Sequence, residues 1–144
     1  MTLLDARALV AFLADEPGAG EVGMLLRSGE TSITTINLAE AVDVLARRYR
    51  VSAARTRQSV EELTGAGMRL VDFDPQHAWR GGELRARHYH RRSRPVSVAD
   101  CSLLAAAARS GEAIATADGD VLAVARAEGI GTVALPDSSG RRAR

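Results

Sequence analysis

Four acids, Asp5, Glu40, Asp100 and Asp118, stand either where short apolar runs give way to helical patterns or inside the helices that follow. Carboxylates gathered from such distant points would repel one another and raise each other's pKa unless a cation neutralised them. Their oxygens are hard ligands, and neither a second cysteine nor a helically spaced histidine pair accompanies them. That donor set favours Mg²⁺ or Mn²⁺ over Zn²⁺. Mg²⁺ held by a few carboxylates keeps waters and completes its shell with phosphate oxygens, which points to phosphodiester chemistry. Each acid also has a local reading. Asp5 and Asp118 suit helix caps or turns, Glu40 a solvated helix face, and Asp100 a capping box with Ser97. The case for chemistry is therefore their convergence, not any one position.

The elements that must position them follow from pattern. Thr2 to Asp5 reads as a first strand. Leu9, Val10 and Leu13, then Val22, Leu25 and Leu26, mark two helices with a corner at Pro17-Gly18. Thr31 to Thr35 reads as a brief strand or a helix entry. Thr34 or Thr35 caps a helix to about Arg48, with Ile36, Leu38, Ala41, Val42 and Leu45 inward. Ser52 caps the next helix, which stops at Gly65-Ala66-Gly67. Met68 to Phe73 alternates as a strand. Asp74-Pro75 starts a helix carrying Trp79 and Leu84 inward. A helix over Cys101 to Arg109, a strand at Ala113 to Ala117, a helix at Gly119 to Glu128 and a strand at Thr132 to Leu135 complete the alternation of an α/β domain around a parallel sheet. In such sheets ligands bind beyond the carboxyl ends of the strands, where strand order reverses.

Composition sets the bounds. The 144 residues fit one domain, expected over 1–135, with 136–144 a flexible tail of low apolar content. With apolar residues at 46% and aromatics at 3%, the core must be aliphatic and alanine-rich. The longest apolar run, Ala8 to Ala14, has seven residues, against the roughly 20 of a membrane span. With no secretory leader pattern and a lone Cys101, a cytoplasmic setting is expected. All nineteen basic residues are arginine, which excludes P-loop nucleotide binding, Schiff-base chemistry and the lysine of receiver domains. The net charge of +1 imposes no overall field.

Three segments together resemble a known family: MTLLDARALVAFL, TSITTINLAEAVDVLARRY and RPVSVADCSLLAAAARSGEAIATADGDVLAVARAEGI. They are similar to PIN-domain proteins of the VapC type, the ribonuclease toxins of type II toxin–antitoxin pairs. The resemblance implies a three-layer α/β/α sandwich with a central parallel sheet. It also implies a Mg²⁺- or Mn²⁺-dependent endoribonuclease, a VapB-type antitoxin and homodimerisation. The family's four acids fall on Asp5, Glu40, Asp100 and Asp118, as catalytic and metal-binding residues. Its polar residue before the fourth acid falls on Thr116, and Asp120 matches an often acidic supporting position.

Further polar residues are less specific. Arg80, Arg85, Arg87, Arg91, Arg92 and Arg94, with His88 and His90 among them, suit either a phosphate-binding rim (Arg85 and Arg92 its candidates) or a solvated helix face. Asn37 suits either a residue that orients Glu40 or lines the site, or the helix surface. Arg7 suits surface charge better than phosphate contact, and Cys101 suits packing behind Asp100 better than nucleophilic attack. Trp79, Tyr49 and Tyr89 suit core or interface packing better than base stacking. Two rivals stay open: a PIN-like module that binds RNA or a partner without cutting, and a metal-dependent phosphatase or DNA nuclease. Asp5-Ala6-Arg7 lacks the D-x-D-x-T pattern of haloacid-dehalogenase phosphatases.

Overall fold

Side chains alternate across the strands and sort the apolar residues onto two faces. In the computed structural model, which describes residues 1–143, Leu4, Ile33 and Ala115 pack into one buried cluster, while Leu3 and Ile114 pack into another. The strands between them are β1 (Thr2–Leu4), β2 (Thr31–Thr34), β3 (Arg69–Val71), β4 (Ala113–Thr116) and β5 (Thr132–Ala134), all parallel in the order β3-β2-β1-β4-β5. The first face is covered by α1 (Ala6–Leu13), α2 (Ala19–Arg27), α3 (Thr35–Tyr49) and α4 (Ala53–Gly65). The second is covered by α5 (Pro75–His88), α6 (Val98–Ser110) and α7 (Gly119–Ala127). This is the expected three-layer sandwich. Helices on both faces explain why β2 is buried throughout and β1 and β4 are buried beyond their first residue.

The expected caps are in place. Thr34, Ser52, Asp74 and Ser97 each accept a backbone N–H from the first turn of the helix they open. Gly111 ends α6 at φ 72°, a left-handed conformation that a side chain resists. Helices α5 and α6 approach closely at Gly81, where an added Cβ would lie 3.3 Å from the Cys101 carbonyl oxygen.

Three readings need correction. Trp79 is 75% exposed, whereas Leu84 is fully buried. Five residues on a helix are about 140° apart, so the two cannot share one face; the buried positions are His77, Gly81 and Leu84. In α3 the fully buried stripe is Asn37, Ala41 and Leu45, with Ile36, Leu38 and Val42 only half-buried. Strand β3 is shorter than its alternating run because it pairs only with the four-residue β2. Beyond it, the Phe73 amide donates to Thr35 Oγ1 at 3.2 Å.

Residues 136–143, expected as a loose tail, carry a turn in which Asp137 accepts from the Ser139 and Arg141 amides. Arg142 donates to the Ala134 carbonyl and to Glu21. Arg144, the end of that expected tail, lies outside the described residues. No helix is long and apolar enough to cross a membrane among the described residues.

Candidate active site

The central strand β1 has β2 on one side and β4 on the other, so strand order reverses there. Asp5 follows β1 and caps α1, its Oδ1 accepting the Ala8 amide at 2.5 Å. Asp118 follows β4 and caps α7, its Oδ1 accepting the Asp120 amide at 2.8 Å and the Val121 amide at 3.4 Å. Asp100 sits in the first turn of α6, its Oδ2 accepting the Ser97 amide at 2.7 Å. Glu40 lies on the flank of the buried stripe of α3 and is half-buried. The local readings of Asp5, Asp100 and Asp118 as caps are thus realised. The four side chains nevertheless line one cavity of about 310 Å³, together with Asp120, Arg7 and the Pro95-Val96-Ser97 wall. Capping and convergence coexist because a cap takes only part of a carboxylate's acceptor capacity.

Electrostatics registers the crowding. Asp5 is 4% exposed, and its carboxyl is pushed up to about 7, first by burial. Bonds from Thr116 and Ala8 oppose that rise, Asp100 adds to it, and Arg7 works against it. Glu40 is raised for similar reasons: burial first, then Asp100, with Arg7 opposing and Asp118 adding. The acids therefore sense one another across the cavity.

Thr116, fully buried at the end of β4, donates its hydroxyl to Asp5 Oδ2 and accepts the Asp118 amide at 2.9 Å. It ties the first acid to the turn carrying the last. Asn37 is 1% exposed, which overturns a helix-surface place for it. Its Oδ1 accepts from Thr34 Oγ1 at 2.5 Å, and among the described residues its Nδ2 has no partner and it makes no hydrogen bond to Glu40.

A hard-cation site would need free oxygens, and the donor set supplies them. Asp100 Oδ1 and both Glu40 oxygens carry no hydrogen bond among the described residues, and Asp118 Oδ2 has only a loose ion pair. Among the described residues, no three His, Cys, Asp or Glu side chains form a ready-made metal cage.

The arginine run divides. Arg80 and Arg87 pair with Glu128 at 2.9 and 2.8 Å, and His88 Nε2 lies 2.6 Å from the same carboxylate. Arg85 stacks over Tyr89, 4.2 Å from the ring centre, and does not line the acid cavity. Arg91, Arg92 and Arg94 lie in the turn closed by the His90–Arg94 bridge, just before the Pro95 wall. Cys101 is buried, its thiol pushed up to about 11 by burial and by Asp100, as befits packing rather than attack. Two features carried no usable sequence signal. One is the Glu128 cluster, joined across 40 residues or more. The other is the apolar wall before Ser97, whose only visible mark was Pro95.

A profile of the PIN domain matches residues 2–127. Among solved structures, the chain is similar to VapC20 of Mycobacterium tuberculosis, a toxin that cleaves the sarcin-ricin loop. That likeness has a TM-score of 0.70 at 18% identity, over 85% of this chain and 94% of the other. It is similar to a chain of DNA-bound VapBC from Salmonella typhimurium, with a TM-score of 0.66 at 22% identity, over 92% and 96%. A third likeness is to VapBC2 from Rickettsia felis bound to a promoter DNA fragment, with a TM-score of 0.66 at 15% identity, over 93% and 98%. No curated sequence shows a significant match.

Proposed function

The chain belongs to the PIN-domain family, and from that premise we propose that it is a divalent-metal-dependent endoribonuclease, the toxin of a VapC-type toxin–antitoxin pair. The observation that carries this reading is one cavity at the carboxyl end of the sheet, lined by Asp5, Glu40, Asp100 and Asp118. Burial first, and Asp100 beside it, raise the pKa of both Asp5 and Glu40, and such crowding is a poor structural choice unless a cation visits the cavity. Asp5, Asp100 and Asp118 would hold Mg²⁺ or Mn²⁺ directly, and Glu40 directly or through water. When bound, the ion would polarise the scissile phosphate and make a water nucleophilic near neutral pH.

The chain's own residues have distinct tasks. Both Glu40 oxygens are free of hydrogen bonds among the described residues and its pKa is raised, first by burial, so it orients the attacking water and is suited to accept its proton. Thr116 fixes Asp5 and the Asp118 turn relative to one another. Asp120 adds negative charge at the rim. Arg91, Arg92 and Arg94 sit where they can hold the RNA backbone, while Arg80 and Arg87 are committed to Glu128. No side-chain nucleophile is required. The partner is a VapB-type antitoxin that blocks the cavity, the toxin acts as a homodimer, and the setting is the cytoplasm.

Purified protein should cut single-stranded RNA with Mg²⁺ or Mn²⁺, lose that activity in EDTA, and lose it again as the Asp100→Asn variant. Cleavage that survives both treatments in contaminant-free material would overturn the assignment. RNA binding without cleavage would leave the non-cutting module, and cleavage of DNA alone would move the substrate class.

A further inference from the structure

Among the described residues lining the acid cavity, Arg7 is the one cation. It stands in the first turn of α1, two residues after Asp5, with Nη2 3.6 Å from Asp118 Oδ2. That separation is an ion pair without a hydrogen bond, and the Arg7 side chain is 70% exposed. The contrast with Arg80 and Arg87, hydrogen-bonded to Glu128 at 2.9 and 2.8 Å, is plain. An exposed, loosely made pair adds little stability and breaks readily.

The oxygen that Arg7 faces is the one a cation would need. Asp118 Oδ1 is committed to the Asp120 and Val121 amides, which leaves Oδ2 as the available ligand atom. A guanidinium and a divalent cation cannot share that oxygen without strong like-charge repulsion. Arg7 also borders a second cavity of about 270 Å³, so Ala6, Arg7 and Glu40 form the partition between the two. From that place a side-chain rotation suffices to turn the guanidinium away from Asp118. Its planar fork then matches phosphate oxygens in a two-bond contact.

We propose that Arg7 is a resident counter-ion that yields Asp118 to the entering divalent cation and then holds a substrate phosphate at the boundary between the two cavities. The proposal rests on the acid cavity being the metal and RNA site. It explains why a cation stands within an otherwise acidic lining, and it gives the substrate strand a direction, from the acids past Arg7 towards the second cavity.

The test compares wild type, Arg7→Gln and Arg7→Lys, each checked for folding by circular dichroism. Mn²⁺ titrated calorimetrically should bind Arg7→Gln roughly threefold to fivefold more tightly than wild type, the size of one exposed charge pair. A short labelled single-stranded RNA in Ca²⁺, verified intact on a gel, should bind Arg7→Gln roughly tenfold more weakly. The slope of log affinity against log salt should shrink by about 0.7, one phosphate contact on a single strand. Arg7→Lys should restore both wild-type metal affinity and the salt slope. Unchanged or weaker Mn²⁺ binding by Arg7→Gln, or an unchanged salt slope, overturns the role of Arg7 while the metal site stands. Wild type that takes up no Mn²⁺ overturns the metal reading of the cavity and this proposal with it.

Discussion

Asp5 and Glu128 are both carboxylates at helix ends and both largely hidden from water, yet their surroundings are opposite. Asp5 caps the N-terminus of α1, where the helix dipole favours an anion. Glu128 caps the C-terminus of α7, where the dipole disfavours one. The pKa shifts run against the dipoles. Asp5 rises to about 7, chiefly by burial, while the His88 hydrogen bond, helped by Arg87 and Arg80, holds Glu128 below its ordinary value. Burial accounts for the rise at Asp5, and near neighbours for the fall at Glu128. A matched carboxylate ties elements together, in this case α5 to the end of α7. An unmatched one, crowded by its own kind, marks a place where a positive ligand belongs.

The sharpest way to break this contrast is to neutralise one acid on each side. Asp100→Asn should reduce RNA cleavage by at least about 10²-fold, the scale of one preorganised electrostatic group, with an unchanged circular dichroism spectrum. Steady-state assays in Mg²⁺ check it.

Asp5→Asn should likewise disable cleavage and yet stabilise the metal-free protein at pH 8 by about 2–4 kcal/mol, from a folded pKa near 7 against 3.8 unfolded. The sign follows from the raised folded pKa. The penalty of ionising Asp5 is absent below pH about 4, grows as pH rises, and is complete above about 7. The variant's advantage should therefore vanish in acid, as urea melts at pH 4 and pH 8 would show. A constant advantage across that range would break the link to ionisation.

Glu128→Gln should have the reverse profile. Its folded pKa is depressed, so its contribution is present at neutral pH and is lost as pH falls through the carboxylate range. The expected cost at pH 7 is about 1–2 kcal/mol in denaturant melts, on the scale of a charged hydrogen bond, with cleavage retained. Loss of cleavage without loss of stability would make the cluster part of the site after all. Trp79→Ala should change monomer stability by less than about 0.5 kcal/mol, as a surface substitution does. A larger fall in apparent melting temperature that depends on protein concentration would show that Trp79 is covered in an oligomer.

The contrast also separates what could be read in the chain from what could not. Strand ends, caps and helix stops are local, and Thr34, Ser52, Asp74 and Ser97 announced themselves through backbone chemistry that needs no tertiary context. Asp5 and Asp118 were legible because strand-to-helix junctions of a parallel sheet meet at one edge, whereas Asp100, which opens a helix after a loop, and Glu40, inside a helix, were grouped with them by the family resemblance. Trp79 was misplaced because an apolar type was taken without its angle around the helix. Asn37 was ambiguous because a polar residue on a buried stripe looks like one on a surface until the stripe is located. The arginine run could not be divided in advance, since what splits it is Glu128, 41 residues beyond Arg87. The role of Arg7 depended on a distance to Asp118 that spacing cannot supply.

The missing side chain at position 81 has a reach beyond its own helix. The α5 backbone rests almost against the Cys101 carbonyl, and Asp100 is the residue just before it in α6. A methyl group there would act as a shim, asking the Cys101 carbonyl beside Asp100 to give by a few tenths of an ångström. The alignment of the chemistry is thus set in part by a hydrogen atom on a helix that supplies none of the four acids.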